Sequence, residues 1–160
     1  MPLTVWRLTT PRYADLTGEG ARRAGGRWNP RGVAVVYTGD HPALAVAEYL
    51  VHVRDPEDLP DALVFLRVVV PDDVAVGVVS RAALEARDPG WRRAGAPACL
   101  AAGTAWLAAA AEPVLRVPSA VVPLAENVLL NPAHPDAARW AVAEVVPYAF
   151  EPRLLDPGRR

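Results

Sequence analysis

The chain has 160 residues, of which 52% are hydrophobic and 22% are charged, a composition typical of one globular domain and not of a disordered chain. Its net charge of −1 argues against a broad nucleic-acid surface, because non-specific binding of polyanions takes most of its strength from neutralised phosphates. No window reaches about eighteen uninterrupted apolar residues, and the first residues lack the order of a signal peptide, so we expect a cytoplasmic protein without a membrane span.

The hydrophobic pattern predicts six strands, separated by turns and helices. We expect them at residues 3–8, 33–38, 62–70, 114–117, 126–130 and 141–150. The third is apolar throughout, which indicates burial on both faces. The glycine-rich, charged residues 9–32, between the first two strands, are expected to form a loop.

Three helices are predicted between these strands. They are expected at residues 42–53, capped by Asp40 or His41, at residues 81–86 after a Ser80 cap, and at the alanine-rich residues 97–111. Because strands and helices do not alternate regularly, the fold class is α+β in a single domain and not a doubly wound sheet.

Glu48 lies on the apolar face of the expected helix at residues 42–53. Leu44 precedes it by four residues and Val51 follows it by three, so the carboxylate falls within the apolar stripe. Burying an unpaired carboxylate is costly, so Glu48 needs hydrogen-bond partners or a cationic substrate. One interpretation is a bond to His52 one turn away, or a side chain that extends to water. The other is a functional carboxylate.

Arg27 and Tyr37 are candidates for binding an anion and a ring. Arg27 follows Gly25 and Gly26, and a glycine pair lets backbone amides turn towards a phosphate while the guanidinium supplies a planar fork. Tyr37 closes an apolar strand before a turn, where its ring can stack on a flat heterocycle. The alternatives are an ordinary loop that Trp28 anchors to the core, and an aromatic ring that only packs.

The remaining polar candidates are Ser119, Asn127 and Asn131. Ser119 has no histidine near it in sequence and no nucleophile-elbow motif, which favours a hydrogen-bond donor over a nucleophile. Asn127 can bond a ligand or cap a turn, and turn formation is the expectation for Asn131. Cys99 is the only cysteine and the three histidines show no metal-binding spacing, so we expect a site without a metal.

Six blocks along the chain resemble, in order, those of the RES domain, a family named for an arginine, a glutamate and a serine. The resemblance covers roughly residues 5–150, and the ordered set is far more specific than any single block. The blocks are Trp6-Arg7-Leu8, Gly26-Arg27-Trp28-Asn29, Val36-Tyr37-Thr38-Gly39, Ala47-Glu48-Tyr49-Leu50, Val117-Pro118-Ser119-Ala120 and Asn127-Val128-Leu129-Leu130-Asn131-Pro132.

The resemblance implies a RES domain at residues 1–152, and we expect the terminal residues 153–160 to form a frayed tail. The implied fold is α+β, with an ADP-ribosyltransferase-like split sheet, mixed or antiparallel, and flanking helices around an NAD cleft. It also implies a bacterial toxin of a type II toxin–antitoxin system, whose cognate antitoxin carries an Xre-like helix-turn-helix domain. DNA binding then belongs to the antitoxin and not to this chain.

The resemblance also implies an NAD⁺-consuming enzyme that hydrolyses or phosphorolyses the nicotinamide–ribose bond. NAD⁺ is then the substrate, inorganic phosphate is a candidate co-substrate, and no cofactor is expected. Carried over by position, the catalytic residues are Glu48, Arg27 and Tyr37, and the substrate-binding residues are Arg7, Arg27, Tyr37, Ser119 and Asn127.

The chemistry of this reaction assigns a role to each group. Breaking the nicotinamide–ribose bond develops positive charge on the sugar, so an aimed carboxylate, Glu48, stabilises the transition state more than the ground state. Nicotinamide leaves as a neutral molecule, so no general acid is required. Arg27 with Arg7 would hold the diphosphate. Tyr37 would stack on nicotinamide, and Ser119 would bond nicotinamide or ribose.

Three other functions remain open at the level of the sequence. They are a toxin that transfers ADP-ribose to a protein, a toxin that cleaves RNA with Arg27, Tyr37 and Glu48, and a non-catalytic interaction domain in which Glu48 and Arg27 form a buried pair. The near-neutral charge and the lack of an aromatic-basic platform count against RNA. The sequence leaves open whether phosphate, water or a protein side chain accepts the ribosyl group.

Overall fold

A computed structural model describes residues 1–156 and 158 of the chain. Within these residues, seven strands form one mixed sheet, accompanied by four α-helices. The strands are β1 (Leu3–Thr9), β2 (Val36–Gly39), β3 (Leu63–Val70), β4 (Val76–Val78), β5 (Val114–Pro118), β6 (Glu126–Leu130) and β7 (Ala141–Tyr148). The helices are α1 (Glu19–Ala24), α2 (Pro42–Leu50), α3 (Arg81–Arg87) and α4 (Pro97–Ala109). None of the described helices is long and apolar enough to cross a membrane.

The sheet has its shortest strand pairing between β1 and β2, which separates it into two halves. The strand order is β4-β5-β6-β2-β1-β3-β7, and the described pairs are antiparallel except for β4 with β5. In the described chain β1 and β2 pair at one position, Trp6 opposite Gly39, whereas β1 pairs with β3 along its whole length from Leu3 to Thr9. The α+β class and the split, mixed sheet that the resemblance implied are therefore confirmed.

The two faces of the sheet bury different cores. Along β6, Val128 belongs to a core that β1 and β3 share, while Leu129 lies on the opposite face, as the strand alternation requires. Leu129 packs there with Trp28 and Trp106, so this second core holds α4 and the 25–32 loop against the sheet. A smaller third cluster, which includes Ala45 of α2, packs that helix on β1 and β3.

The α2 helix begins as expected but ends earlier. His41 is the cap, with its Nδ1 accepting the Ala43 amide at 3.1 Å, and Pro42 opens the first turn. The helix stops at Leu50 and not at residue 53. The amides of His52 and Val53 bond carbonyls three residues back, which tightens the chain into turns before the Asp55–Pro56 break.

The other expected helices are close to the prediction: α3 ends at Arg87 and not at residue 86, and α4 ends at Ala109 and not at residue 111. The Ser80 cap of α3 is confirmed, because its Oγ accepts the Ala83 amide at 3.1 Å. The loop expected at residues 9–32 contains α1. This helix was not expected, because the two glycines at 18 and 20 indicated a loop. In α1, Glu19 bonds both Arg22 and Arg23 on the following turn, and such pairs support a short helix.

The strands also depart from the pattern in instructive ways. The expected strand at 33–38 starts at Val36, which pairs with Leu130, the last residue of β6, and it ends at Gly39. Strand β4 has three residues and was not expected. The strand at 141–150 ends at Tyr148.

The prediction that β3 is buried on both faces is wrong. Leu66 and Val68 are fully buried, but Arg67 between them is half-buried and bonds Glu144 of β7 at 3.0 Å. Helix α2 covers the outer face of β3 only near Phe65, which leaves room for this polar pair.

The expected frayed tail at residues 153–160 falls partly on residues 157, 159 and 160, which lie outside the described residues. Within the described part, Pro152–Leu154 forms a single 3₁₀ turn. Fraying of the tail stays a prediction.

We expect Gly103→Ala to destabilise the fold. A Cβ at this position would lie 1.8 Å from the Trp28 carbonyl oxygen, where α4 crosses the 25–32 loop. Overpacking against backbone costs about 1–3 kcal/mol or more, so the urea midpoint should fall or the variant should fail to fold. Gly20→Ala is the matched control: the new Cβ meets nothing within 4 Å, and helical Gly→Ala gains up to about 1 kcal/mol. A Gly103→Ala chain as stable as the wild type would contradict this packing.

Candidate active site

Helix α2 places Glu48 above the joint between β1 and β2. Its buried residues Leu44 and Ala45 face the sheet, and Gly39 of β2 packs directly on Leu44. The half-buried Glu48 follows one turn later on the same side of the helix. The expectation that this carboxylate lies on the apolar face is confirmed.

Glu48 accepts two hydrogen bonds, and both reach one oxygen from distant parts of the chain. The Ser119 hydroxyl donates to Oε1 at 2.6 Å, and the Asn127 side-chain amide donates to the same atom at 2.7 Å. Its hydrogen bonds in the described chain therefore go to these residues and not to His52. Charge-assisted bonds of this kind are shorter and stronger than neutral ones, so the carboxylate is firmly oriented.

The direction of the Ser119 bond follows from its other contacts. Two backbone amides, of Val121 and Val122, donate to its Oγ at 3.1 and 3.0 Å. A hydroxyl has two lone pairs and one proton, so these amides use the lone pairs and the proton is left for Glu48. Ser119 is also fully buried and is not among the described residues that line the cavities below. This geometry gives Ser119 the task of orienting Glu48, a different role from the expected substrate contact.

Tyr37 is held by its hydroxyl at the start of the 25–32 loop. The hydroxyl donates to Asn29 Oδ1 at 2.6 Å and accepts the Trp28 amide at 3.1 Å. Burial raises the pKa of Tyr37 to about 12, against the smaller lowering effect of its bonds to the loop. The phenol is therefore neutral and fixed, while the ring borders both cavities of the site.

Close packing explains the glycines before Arg27, and a phosphate-binding role for them stays a prediction. A Cβ on Gly26 would lie 2.6 Å from the Tyr37 hydroxyl, and Gly25 has a φ of +71° that favours glycine. The pair thus lets the loop lie directly against Tyr37.

Arg27 uses its guanidinium to hold a second loop, between α3 and α4. Its Nη1 donates to the carbonyls of Trp91 and Arg93, each at 2.9 Å, and its Nη2 donates to the Arg92 carbonyl at 3.1 Å. The buried Glu48–Arg27 pair of the non-catalytic alternative is not formed. Carbonyl oxygens are neutral acceptors, so Arg27 keeps its positive charge beside the cavity that it lines.

Arg7 repeats this arrangement at the other end of the site. Its Nη1 donates to the carbonyls of Tyr13 and Asp15, the former at 3.2 Å. Burial lowers the pKa of Arg7, and the nearby Asp15 carboxylate partly opposes that effect. A guanidinium nevertheless remains charged in proteins, so Arg7 supplies a second, largely buried cation.

Two adjoining cavities meet at Glu48, and together they are called the cleft below. The larger, of about 630 Å³, contains Arg27, and the smaller, of about 230 Å³, contains Arg7. The residues common to both linings are Tyr37, Glu48, His52 and Asn127. The structure therefore brings together the candidate residues except Ser119, which stands behind Glu48, and Asn131, whose Oδ1 accepts the Ala133 amide at 3.1 Å in the expected turn.

Among the four residues common to both cavities, His52 is the one that sequence reasoning did not assign to the site. It was considered only as a partner for Glu48, although its position one turn later on the same helix face was a usable signal. In the described part of the chain, no group of three or more His, Cys, Asp or Glu side chains is placed to hold a metal ion.

Comparisons with known proteins identify the family and the relatives of the chain. The family model described as the RES domain matches residues 4–151. The chain is 40% identical to "Toxin Res" of Pseudomonas putida strain KT2440, over 96% of this chain and 100% of that protein. It is 34% identical to the "Prs ADP-ribosylating toxin" of Sphingobium sp. strain YBL2, over 97% of this chain and 98% of that protein.

A solved structure shares the fold. The crystal structure of the M. tuberculosis MbcT–MbcA toxin–antitoxin complex contains a chain that matches with a TM-score of 0.74 at 23% identity. The match covers 97% of this chain and 87% of that chain. The α+β architecture thus occurs in a known toxin–antitoxin assembly.

We expect Arg27→Ala to lower the free energy of unfolding by about 2–4 kcal/mol, because three hydrogen bonds from a charged donor are lost together. The free energy of unfolding of Arg27→Lys should lie between those of Arg27→Ala and the wild type, since one ammonium group cannot match the planar guanidinium. Urea unfolding provides the measurement. Arg93→Ala, which removes an exposed side chain bonded to Asp88, is the control and should unfold close to the wild type. Equal stability of Arg27→Ala and wild type would contradict the bracing role.

We expect alkaline pH to lower the folding stability because the Tyr37 phenol is buried. Its pKa is raised from 10.0 to about 12 in the folded state, so between these values the unfolded chain has lost the proton that the folded chain keeps. Folding stability is thus complete below about pH 10 and falls as pH rises towards about 12. Tyr37→Phe should make this fall shallower, and the residual slope comes from Tyr49 and Tyr148, whose pKa values burial also raises.

The free energy of unfolding at about pH 9 and about pH 11 measures this slope. Tyr13→Phe, which alters an exposed ring, is the control. A Tyr37→Phe slope identical to that of the wild type would show that the phenol is not buried as described.

Proposed function

We propose that this chain, which belongs to the RES domain family, is the toxin of a toxin–antitoxin pair and consumes NAD⁺ by cleaving the nicotinamide–ribose bond. The observation that carries the proposal is the convergence of Ser119 and Asn127 on Glu48, in the wall of a cleft with an arginine in each of its two cavities. Each group then has a task in one reaction.

Glu48 is the group that stabilises the ribose as the bond breaks. Both of its hydrogen bonds go to Oε1, so we assign the sugar contact to Oε2. Among the described residues no arginine forms an ion pair with Glu48, so its charge is not cancelled within the protein. A fixed carboxylate held by neutral donors stabilises the positive charge that develops on the ribose, so it favours the oxocarbenium-like transition state over the ground state.

The two arginines bind the diphosphate portion of NAD⁺. Arg7 and Arg27 stand in the two cavities on either side of Glu48, and each is held by carbonyl oxygens that leave its charge intact. The diphosphate therefore meets a cation in whichever of the two cavities it enters. This pairing also orients the reactive sugar against Glu48, and orientation is itself a large part of the rate.

Tyr37 supplies a fixed ring and not a proton. Its hydroxyl proton is engaged by Asn29, and a pKa of about 12 makes it a weak acid near neutral pH. That suits a reaction whose leaving group departs neutral. Tyr37 therefore stacks on nicotinamide, and Asn127 shares its second amide proton with substrate at the junction of the cavities.

A protein acceptor is the second candidate, and it is favoured by the relative named as an ADP-ribosylating toxin. Both reactions begin with the same bond cleavage and need the same Glu48. They differ in whether water, phosphate or a protein side chain takes the ribosyl group. The RNA-cleaving alternative gains no support, because the cleft offers one carboxylate and two isolated arginines and no stacked basic-aromatic platform.

An antitoxin is the expected partner, since the matched solved structure is a toxin–antitoxin complex. We propose an antitoxin with an Xre-like helix-turn-helix domain, encoded beside this chain and responsible for any DNA binding. We further propose that the toxin acts in the cytoplasm, where NAD⁺ is available.

The test is nicotinamide release from NAD⁺ by the purified, antitoxin-free chain, with and without inorganic phosphate. Release that requires phosphate indicates phosphorolysis, release without it indicates hydrolysis, and label carried onto a protein indicates ADP-ribosylation. No release in any of these arms would overturn the proposal.

We expect Glu48→Gln to reduce release by about 10²- to 10³-fold. The glutamine carbonyl can still accept from Ser119 and Asn127, so the fold should be kept while the charge is removed. The urea midpoint verifies the fold, and Glu57→Gln, on an exposed turn, is the matched control with the wild-type rate. A folded Glu48→Gln chain with full activity would show that this carboxylate is not the catalytic group.

A further inference from the structure

We infer that Arg92 is a positioning residue that sets the orientation of the Glu48 carboxylate through Ser119. The inference rests on the proposed function for its catalytic consequence, and on hydrogen bonds alone for its structural part. Arg92 touches neither Glu48 nor Ser119 in the described contacts, and it acts through two peptide units of the turn after β5.

Arg92 holds those peptide units by their carbonyl oxygens. Its Nε donates to the Ala120 carbonyl at 2.9 Å, and its Nη2 donates to the Val121 carbonyl at 3.5 Å. The first bond is short and the second is at the limit of hydrogen-bonding distance, so the Ala120 contact is the stronger of the two.

The same two peptide units hold Ser119. The Ala120 carbonyl and the Val121 amide belong to one planar peptide unit, as do the Val121 carbonyl and the Val122 amide. Both amides donate to the Ser119 Oγ. Fixing each carbonyl therefore fixes the amide across the same plane, and these amides direct the Ser119 proton to Glu48.

The turn needs such an anchor because its tip has little packing of its own. Val122 is 40% exposed and Leu124 is 89% exposed, so apolar burial does not hold them. The turn closes on itself through a bond from the Ser119 amide to the Ala125 carbonyl at 3.0 Å. Ala120, at the base of the turn, packs on the core beneath α4, and the Arg92 guanidinium adds a hydrogen-bonded connection from the turn to the loop before α4.

Arg92 projects from a loop that is itself firmly held. Its neighbour Trp91 is fully buried in the core beneath α4, and Arg27 grips the carbonyls of residues 91 to 93. The connection thus runs from Arg27 to the 91–93 loop, from Arg92 to the turn, and from Ser119 to Glu48. Arg27 and Glu48, which make no direct bond, are linked by this route.

The experiment compares Arg92→Ala and Arg92→Lys with Arg93→Ala. Arg93 has the same charge and is its neighbour in the same loop, but its side chain bonds Asp88 and does not reach the turn. We expect Arg92→Ala to lower kcat for nicotinamide release by about 10- to 100-fold with KM for NAD⁺ unchanged, because the reactive carboxylate loses its alignment. Arg92→Lys should recover part of the loss, and Arg93→Ala should match the wild type.

Amide hydrogen exchange gives a readout that does not depend on the substrate. Exchange at Val121 and Val122 should become faster in Arg92→Ala and should stay at the wild-type rate in Arg93→Ala. Unchanged exchange at both amides would overturn the inference, and so would a raised KM with unchanged kcat, which would make Arg92 a substrate-binding group. If the wild-type chain releases no nicotinamide, the proposed function fails, while the exchange rates still decide the structural link.

Discussion

The bonds from Ser119 and Asn127 to one oxygen of Glu48 are the contacts on which the cleft depends. Glu48 belongs to α2, which packs on β1 and β3, whereas its two donors belong to the β5–β6 half of the sheet. One backbone pairing, at Trp6 and Gly39, joins the sheet between these halves in the described chain. The carboxylate therefore both bridges the opening in the sheet and forms the wall of the cleft that the opening creates.

The charged groups of the cleft are bonded to neutral partners. Glu48 is held by a hydroxyl and an amide, and Arg7 and Arg27 are held by backbone carbonyls. An ion pair between them would satisfy the same groups but would cancel the charges that a substrate could use. Holding each charge with dipoles keeps it in place and available, which is the arrangement expected of a preorganised site for a charged substrate.

Close packing shapes the loop that carries Arg27. The loop lies against the Tyr37 hydroxyl at Gly26, and α4 meets its Trp28 carbonyl at Gly103. Trp28 itself is buried in the core beneath α4, so the loop is anchored as one of the two interpretations held, and its binding role stays a prediction. The rigidity that holds Arg27 beside the cleft comes from this packing and from its grip on the 91–93 loop.

The sequence determined the fold class, the family and the helices and strands of the described chain other than α1 and β4, because periodicity, caps and ordered motifs depend on residues that are neighbours in the chain. The His41 cap, the position of Glu48 on the apolar face and the set of candidate residues were all readable in this way. The hydrogen bonds that define the roles of these residues could not be read from the sequence, since Ser119 is 71 residues from Glu48 and Trp91 is 64 residues from Arg27. Only the tertiary structure decided that Ser119 orients Glu48, that Arg27 braces a loop and that His52 borders the cleft. A hydrogen bond depends on distance in space, and the packing of strands and loops sets that distance.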